Sequence, residues 1–466
     1  MIQFILNDQF IQLDSIQADT TLLEYLRLNA CLSGTKEGCA SGDCGACTVV
    51  IAKLDESSAD LEYASLNACI CLLGSMHGKQ IITVEGLRPD KKTLHPIQQS
   101  MVDKHASQCG FCTPGFVMSL FAMSKQKLQA THHDVIENID GNLCRCTGYL
   151  PIIDAAKDAL QQSITDQFDN KKSETIGKLQ SIKASQGERF IHPASVKDLA
   201  RKVIENPNVR LLAGGTDLVL DITQGSQQYE NIIYLGNVKE LKQINETETE
   251  LHMGAAVTYE MAEDKLVEIH PDFKLHLQRL GSKQIRNVGT IGGNIANASP
   301  IGDMPPALVA LDTALVLQKG DVQRIVKMND FYTGYKQTIL EDGEFLREII
   351  IPKNKPNHQL KIYKISKRHA DDISAICAAF YLGVEDDKIV SCRIAMGGMA
   401  ATVKRANHCE KVLLNQSLNQ ESLDHAKTEI LKDYQPLDDV RASREYCILM
   451  AQNLLQRLFI DLGAAL

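Results

Sequence analysis

Residues 2–16, IQFILNDQFIQLDSI, alternate apolar and polar positions on either side of an Asn-Asp pair, which predicts two short strands around that turn. The next stretch, DTTLLEYLRLN, spaces its apolar residues as a helix does, with Asp19 or Thr20 placed to cap its start. A cysteine-rich loop at 38–47 breaks the periodicity. TVVIAKL then reads as a buried strand and QIITVE (80–85) as another, so 1–88 is a small α+β unit. From residue 94 the period becomes helical. Four segments follow: LHPIQQSMVDKHA, TPGFVMSLFAMSKQ with Pro114 near its start, THHDVIENI opened by Thr131 with Asp134 three residues on, and LPIIDAAKDALQQS with an early proline. Their short connections predict an up-down four-helix bundle over 89–162. Residues 163–187 are polar and without clear period, which predicts a linker. RFIHPASVKDLARKV opens a second α/β region, 188–352, with strands at VRLLAGG, NIIYLG and ELHMGAAVT. A loop around 352–360 separates it from a C-terminal α+β portion, 353–466, that contains IAMGGMAATVKRA. No repeat of 20–50 residues is visible.

Charge narrows the field only a little. The 466 residues carry a formal charge of −9, with no basic stretch suited to a polyanion, so nucleic acid is not an expected partner. MIQFILNDQF has neither a basic n-region nor a long apolar run, so no leader peptide or membrane span is expected and the cytoplasm is the expected compartment.

The cysteines change the picture. There are 14, and ten fall between Cys31 and Cys146. In a reducing compartment such density points to metal or redox chemistry rather than disulfides. The four that follow residue 370 (Cys377, Cys392, Cys409 and Cys447) are scattered and read as small buried hydrophobes. Cys39, Cys44 and Cys47 form C-x4-C-x2-C with Cys69 after 21 further residues, the spacing of a plant-type 2Fe-2S site. Gly38, Gly42 and Gly45 suit a loop whose backbone N–H groups approach sulfide. A zinc knuckle is the alternative, but zinc sites favour two paired short spacings over three ligands in one loop. Cys31 and Cys71 are left to pack nearby. Cys109 and Cys112 lie in the loop between the first two bundle helices, Cys144 and Cys146 in the loop after the third. Up-down topology puts both loops at one end, so two thiol pairs converge, two ligands per iron.

At this point the first 160 residues resemble the iron–sulfur region of the xanthine dehydrogenase (molybdenum hydroxylase) family, through EGCASGDCGACTV, NACICLLGSMHGKQIITVEGL, HPIQQSMVDKHASQCGFCTPGFVMS and NLCRCTGYLPIIDA. The resemblance implies a multidomain α+β chain. Its parts would be a plant-type ferredoxin-like β-grasp domain, a four-helix 2Fe-2S bundle, a non-Rossmann α+β FAD-binding domain and a C-terminal α+β flavoprotein cap. It places Gln108 beside the molybdopterin of a neighbouring domain. No G-x-G-x-x-G or Walker loop is present; instead LLAGGTDL (211–218) and TIGGNIANASPIGDMPPAL (290–308) each put Gly-Gly after an apolar strand, where backbone N–H groups can cradle a pyrophosphate. By resemblance, Leu211, Leu212, Ala213, Gly214, Gly215, Thr216 and Asp217 line the diphosphate and ribityl part of FAD. Thr290, Gly293, Asn294 and Asp303 bind further along, Leu346 packs near the flavin or adenine, and Lys364 sits by the isoalloxazine. KISKRHADDIS (364–374) is similar to a mobile flavin-side loop that helps bind NAD, with Arg368, Asp371 and Asp372 as candidates. Leu280 stands where vertebrate members carry an aromatic residue.

The implied role is the small iron–sulfur/FAD subunit of a split enzyme, with molybdopterin on a large partner subunit and a heterotetramer as the assembly. No catalytic side chain is assigned to this chain. Electrons would pass from molybdenum through the helical-domain cluster, the ferredoxin-like cluster and FAD to NAD, during oxidation of hypoxanthine or xanthine to urate. The alternative is the same subunit of a related enzyme acting on an aldehyde or another N-heterocycle.

Overall fold

The computed structural model describes every residue except 56, 91, 129, 162, 184, 186, 465 and 466. The chain forms two compact units. Unit 1 holds 1–194, 208–237 and 281–289; unit 2 holds 195–207, 238–280 and 290–466.

Unit 1 begins with a five-stranded sheet in the order Gln9–Leu13, Ile2–Leu6, Gln80–Ile82, Thr48–Leu54, Leu61–Asn67. Ile2–Leu6 pairs parallel with Gln80–Ile82, and the other neighbours are antiparallel. Phe4, Leu6, Val49, Ile51 and Ile81 pack against Leu22, Leu23 and Leu26 of the first helical segment. That segment is a short helix, Leu22–Glu24, continued as a π-helical turn, Tyr25–Asn29. Its cap is Thr21 rather than Asp19 or Thr20: Thr21 is the last residue with extended backbone, and its hydroxyl accepts from Glu24 N. Strand Leu61–Asn67 has no counterpart in the sequence expectation. Its pairing is set by the preceding turn, where Asp55 Oδ1 accepts from Ala59 N and Asp60 N, while its own sequence is diluted by Glu62, Ala64 and Ser65. The expected strand 80–85 stops at Ile82 and turns into the 3-10 helix Val84–Leu87.

The helical part of unit 1 contains Pro96–Asp103, Thr113–Lys125, His132–Ile139 and Leu150–Leu160. Met101, Phe116, Leu120, Phe121, Val135, Ile139 and Ile152 fill its core. Buried His95 caps the first helix by accepting from Ile97 N, and Thr131 caps the third by accepting from Asp134 N.

The expected linker is not one. Gln167–Asn170 and Lys172–Ser181 are helices. Phe168 is buried among the bundle side chains, and Leu179 is buried with Ile5, Ala52 and Leu61, a cluster against which Leu54, Tyr63, Ile176 and Ile182 pack. Ile176, Leu179 and Ile182 recur at three-residue steps, but polar neighbours mask the period. Asp166 holds the join: it caps Phe168 N and Asp169 N and is bonded to Lys125 Nζ (2.7 Å) and His95 Nε2 (3.2 Å). Positions 162, 184 and 186, within or beside the expected linker, lie outside the described residues. A three-stranded parallel sheet, in the order Phe190–Ile191, Ile232–Tyr234, Arg210–Leu212, completes unit 1.

Unit 2 has an antiparallel five-stranded sheet, in the order Val322–Lys327, Ala314–Lys319, Phe345–Pro352, Glu250–Gly254, Ile244–Glu246. Its core includes Leu266, Phe273, Leu277, Leu308 and Phe331. A second sheet, His358–Ile365, Ile376–Glu385, Lys388–Gly397, Lys404–Arg405, shares a core with helices Asn407–Leu413, Gln420–Asp433 and Arg444–Asp461. The multidomain α+β architecture expected from the sequence is present, and Cys377, Cys392, Cys409 and Cys447 are all buried. Among the described residues no helix is long and apolar enough to cross a membrane.

Candidate cofactor sites

The loop 38–47 brings its three cysteines against Cys69. Cys39 is in hydrogen-bond contact with Cys44 and Cys69, and Cys69 lies 3.2 Å from Cys47, Sγ to Sγ. Hydrogen bonds from Cys44 and then Cys69 pull Cys39 toward the thiolate, and the same bonds push Cys44 and Cys69 up. Four thiols sharing protons in this way are a donor set for iron and sulfide, since metal binding replaces those protons. Backbone N–H groups are already aimed at sulfur: Ser41 N is 3.4 Å and Asp43 N 3.3 Å from Cys39 Sγ. Gly45 is required twice over, by φ of +66° and by a Cβ that would fall 2.3 Å from Gly141 O.

The second thiol set assembles from two loops. Cys112 is in contact with Cys144 and Cys109 with Cys146, so each pair takes one thiol from each loop. Burial pushes Cys112 up to about 12. For Cys144 burial is the largest influence and acts upward, but hydrogen bonds at Thr147 and the other loop groups outweigh it and hold the thiol below its ordinary value. Cys144 is buried, while Cys109 and Cys146 face solvent. Gln108 is exposed beside them, and a cavity of about 530 Å³ opens nearby, lined by Met101, Val102, His105, Gly110, Pro114 and Val117. The two loops touch: Leu143 N donates to Cys44 O at 3.0 Å, and Asn142 Nδ2 to Gly45 O at 3.0 Å. Among the described residues no three His, Cys, Asp or Glu side chains are grouped around a single metal-ion position. Cys71 stays half-buried, bonded to Ser75 with its thiol pushed up by burial, and Cys31 is exposed.

The flavin candidates divide between the units. In unit 1, Leu211 and Leu212 end a strand and residues 213–217 turn into helix Leu218–Thr223. Gly214 has no room for a side chain, since a Cβ would lie 2.0 Å from Val288 O, and Gly215 has φ of +80°. Thr216 is half-buried in this turn and Asp217 is exposed. In unit 2, Thr290 caps helix Ile291–Ala296 by accepting from Gly293 N. A Cβ on Gly292 would lie 2.3 Å from Ala255 O. Asn294 Oδ1 is buried without a partner, an acceptor left open for a ligand. Asp303 is held by Lys364 Nζ (2.8 Å) and by Ser374 Oγ (2.5 Å), and Lys364 also donates to Arg279 O. Leu346 and Leu280 are both in the unit 2 core. Arg368 is exposed, with its N–H on Asp372 and its guanidinium on Asp371 O. In unit 2 the close-packed turn at Gly292 and the orphaned Asn294 oxygen suit a polar cofactor, and in unit 1 the turn at Gly214 and Gly215, taken by itself, leaves its backbone open.

Three contributors escaped the sequence. Arg279 donates to Lys364 O, His369 O and Ser366 Oγ, fastening the 364–374 segment. Ser374 completes the Asp303 shell. Gln284, fully buried, donates to Thr48 Oγ1, Ser119 Oγ and Asn142 Oδ1 beneath the two cysteine loops. A lone arginine or glutamine in QRLGSKQIR carries no motif, and its polar neighbours give no signal that sets it apart.

Comparison with known proteins matches four families along the chain. They are a 2Fe-2S iron-sulfur cluster binding domain (4–74), a 2Fe-2S binding domain (83–157), an FAD binding domain in molybdopterin dehydrogenase (183–354) and a CO dehydrogenase flavoprotein C-terminal domain (361–462). Xanthine dehydrogenase of Emericella nidulans is 33% identical over 475 residues, covering 88% of this chain and 35% of its own. Xanthine dehydrogenase/oxidase of Gallus gallus is 29% identical over 501 residues, covering 91% and 37%. The chain thus spans about a third of the length of these relatives. Among solved structures, a chain of the reconstituted CO dehydrogenase from Oligotropha carboxidovorans is 30% identical with a TM-score of 0.55, covering 58% of this chain and 95% of its own. Quinoline 2-oxidoreductase from Pseudomonas putida 86 shares the fold at 24% identity, with a TM-score of 0.55, covering 59% and 95%.

Proposed function

Because the chain belongs to the molybdenum hydroxylase family and carries its iron–sulfur and FAD-binding regions, we propose that it is the electron-transfer subunit of a cytoplasmic xanthine dehydrogenase. The observation that carries this reading is the assembly of two thiol quartets, Cys39/Cys44/Cys47/Cys69 and Cys109/Cys112/Cys144/Cys146, by loops in contact with each other. When bound, 2Fe-2S clusters supply one-electron transfer and FAD supplies the change from single electrons to hydride.

The chain's own residues bind and orient. The cysteines ligate, and Gly38, Gly42 and Gly45 let backbone donors approach. The turn 211–217 holds the FAD diphosphate, with Thr290, Gly293, Asn294, Asp303, Leu346 and Lys364 as the further FAD contacts. Arg368, Asp371 and Asp372 meet NAD. Gln108 and the neighbouring apolar cavity face a molybdopterin-binding large subunit, in a heterotetramer. The proposed electron order runs from that partner to the Cys109/Cys112/Cys144/Cys146 set, then to the Cys39 set, FAD and NAD. The proposed domain limits are 1–88, 89–162, 188–352 and 353–466.

The relatives named xanthine dehydrogenase support xanthine as a substrate of the assembly, and hypoxanthine is proposed beside it. The CO dehydrogenase neighbour, at 30% identity, supports a second reading, a related hydroxylase with another substrate. The complex copurified through this chain separates the two when assayed with xanthine, quinoline and CO. In that complex Cys144→Ser is expected to abolish xanthine-to-NAD transfer while sparing NADH oxidation by dyes that react at FAD. Parallel loss of both activities in a folded variant would overturn the electron order.

A further inference from the structure

The turn that carries Cys39 is fastened from a distant part of the sequence. Ala40 lies in the left-handed region at φ of +55°, a conformation that costs a residue with a Cβ about 1 kcal/mol, so something must hold it there. Its carbonyl accepts from Thr223 Oγ1 at 2.7 Å and from Gln224 Nε2 at 3.2 Å; the Cys39 carbonyl accepts from the same amide at 3.1 Å. Thr223 ends the short helix Leu218–Thr223 and Gln224 is its C-cap. The other end of that helix follows the glycine turn, where a Cβ on Gly215 would lie 3.3 Å from the carbonyl oxygen of Ile70, next in sequence to Cys69. One helical turn and a half therefore reaches from beside Cys69 to the backbone of Cys39. In this fastened conformation Ser41 N and Asp43 N both aim at Cys39 Sγ.

We propose that Thr223 and Gln224 are positioning residues that fix the N–H···S hydrogen bonds on Cys39, and so set the reduction potential of the cluster held by Cys39, Cys44, Cys47 and Cys69. Reduction adds one electron to that cluster with no bond made or broken, and N–H donors favour the more negative product, so they raise the potential. The helix that follows the FAD-binding turn is thus also the support of the neighbouring cluster. This inference rests on the thiol-set assignment made above.

The test is a dithionite titration of the purified full-length chain with its cofactors bound, followed by electron paramagnetic resonance, with the second cluster as internal reference. In the double variant Thr223→Val, Gln224→Leu the first cluster's midpoint should fall while the second stays fixed and FAD content is unchanged. Thr223→Ser with Gln224 intact should keep the wild-type value. Selective loss of the first signal in the double variant, absent from Thr223→Ser, supports the same role. An unmoved midpoint, an equal shift of both clusters, or loss of both signals overturns the inference. A wild-type chain without two 2Fe-2S signals overturns the assignment beneath it instead.

Discussion

Replacing Asp166 by asparagine tests whether the segment after the bundle is held by charge. The Asp166 side chain is 3% exposed, and its pKa sits at about 2. Burial, the largest influence, pushes it up, but hydrogen bonds and charge from His95 and Lys125, with the Asp169 backbone, push it further down. A free aspartate titrates near 3.8. At 1.36 kcal/mol per unit, the difference favours the ionised folded state by about 2 kcal/mol. Since the folded value lies below the unfolded one, this contribution is complete above about pH 4 and disappears as the pH falls through about 2. Asparagine keeps an oxygen to cap Phe168 N but not the charge facing Lys125, so Asp166→Asn should lose about 2 kcal/mol at pH 7. Amide hydrogen exchange in Gln167–Asn170 and Lys172–Ser181 reads the local opening directly. It should accelerate roughly 30-fold at pH 7, with the gap to wild type narrowing at about pH 3 once intrinsic rates are divided out. Equal protection at pH 7, or a gap that persists undiminished at low pH, would refute the charge argument.

Lys364→Met leaves the Asp303 carboxylate without its cation at 12% side-chain exposure. A loss of about 3–5 kcal/mol in urea unfolding and a fall in bound FAD are expected, with stability largely recovered by adding Asp303→Asn. Arg279→Ala removes three hydrogen bonds from the 364–374 segment. Exchange of residues 366–372 should rise at least ~10-fold, at about 1–3 kcal/mol per bond from a charged donor, and, on the proposed NAD-binding role of this segment, the KM for NADH should rise more than kcat falls.

The sequence showed most clearly what short-range chemistry determines. The Thr131 cap and the strand Thr48–Leu54 each depend on a few adjacent residues, and the structure places them where those residues say; the cysteine spacings are equally local. Leu61–Asn67 was illegible because its register comes from a turn and a neighbouring strand rather than from its own alternation. The helices at 167–181 were hidden for a related reason. Their apolar residues are few, and Asp166 reads as one more polar residue until Lys125 and His95 are brought beside it. Gln284 lies more than 140 residues from each of Thr48, Ser119 and Asn142, so nothing local announces the bonds among them.

The return of residues 208–237 and 281–289 to unit 1 limits how this chain can be cut or exchanged. Ending it after the second helical pair, near residue 187, would remove Phe190, whose ring fills the space over Gly74, together with the Thr223 and Gln224 bonds and the Gln284 amide. A transplanted iron–sulfur segment would arrive with those contacts unmet, so recombination between relatives should succeed when the exchanged block carries 208–237 and 281–289 with it. The unit of inheritance here is a discontinuous set of residues rather than a run of sequence.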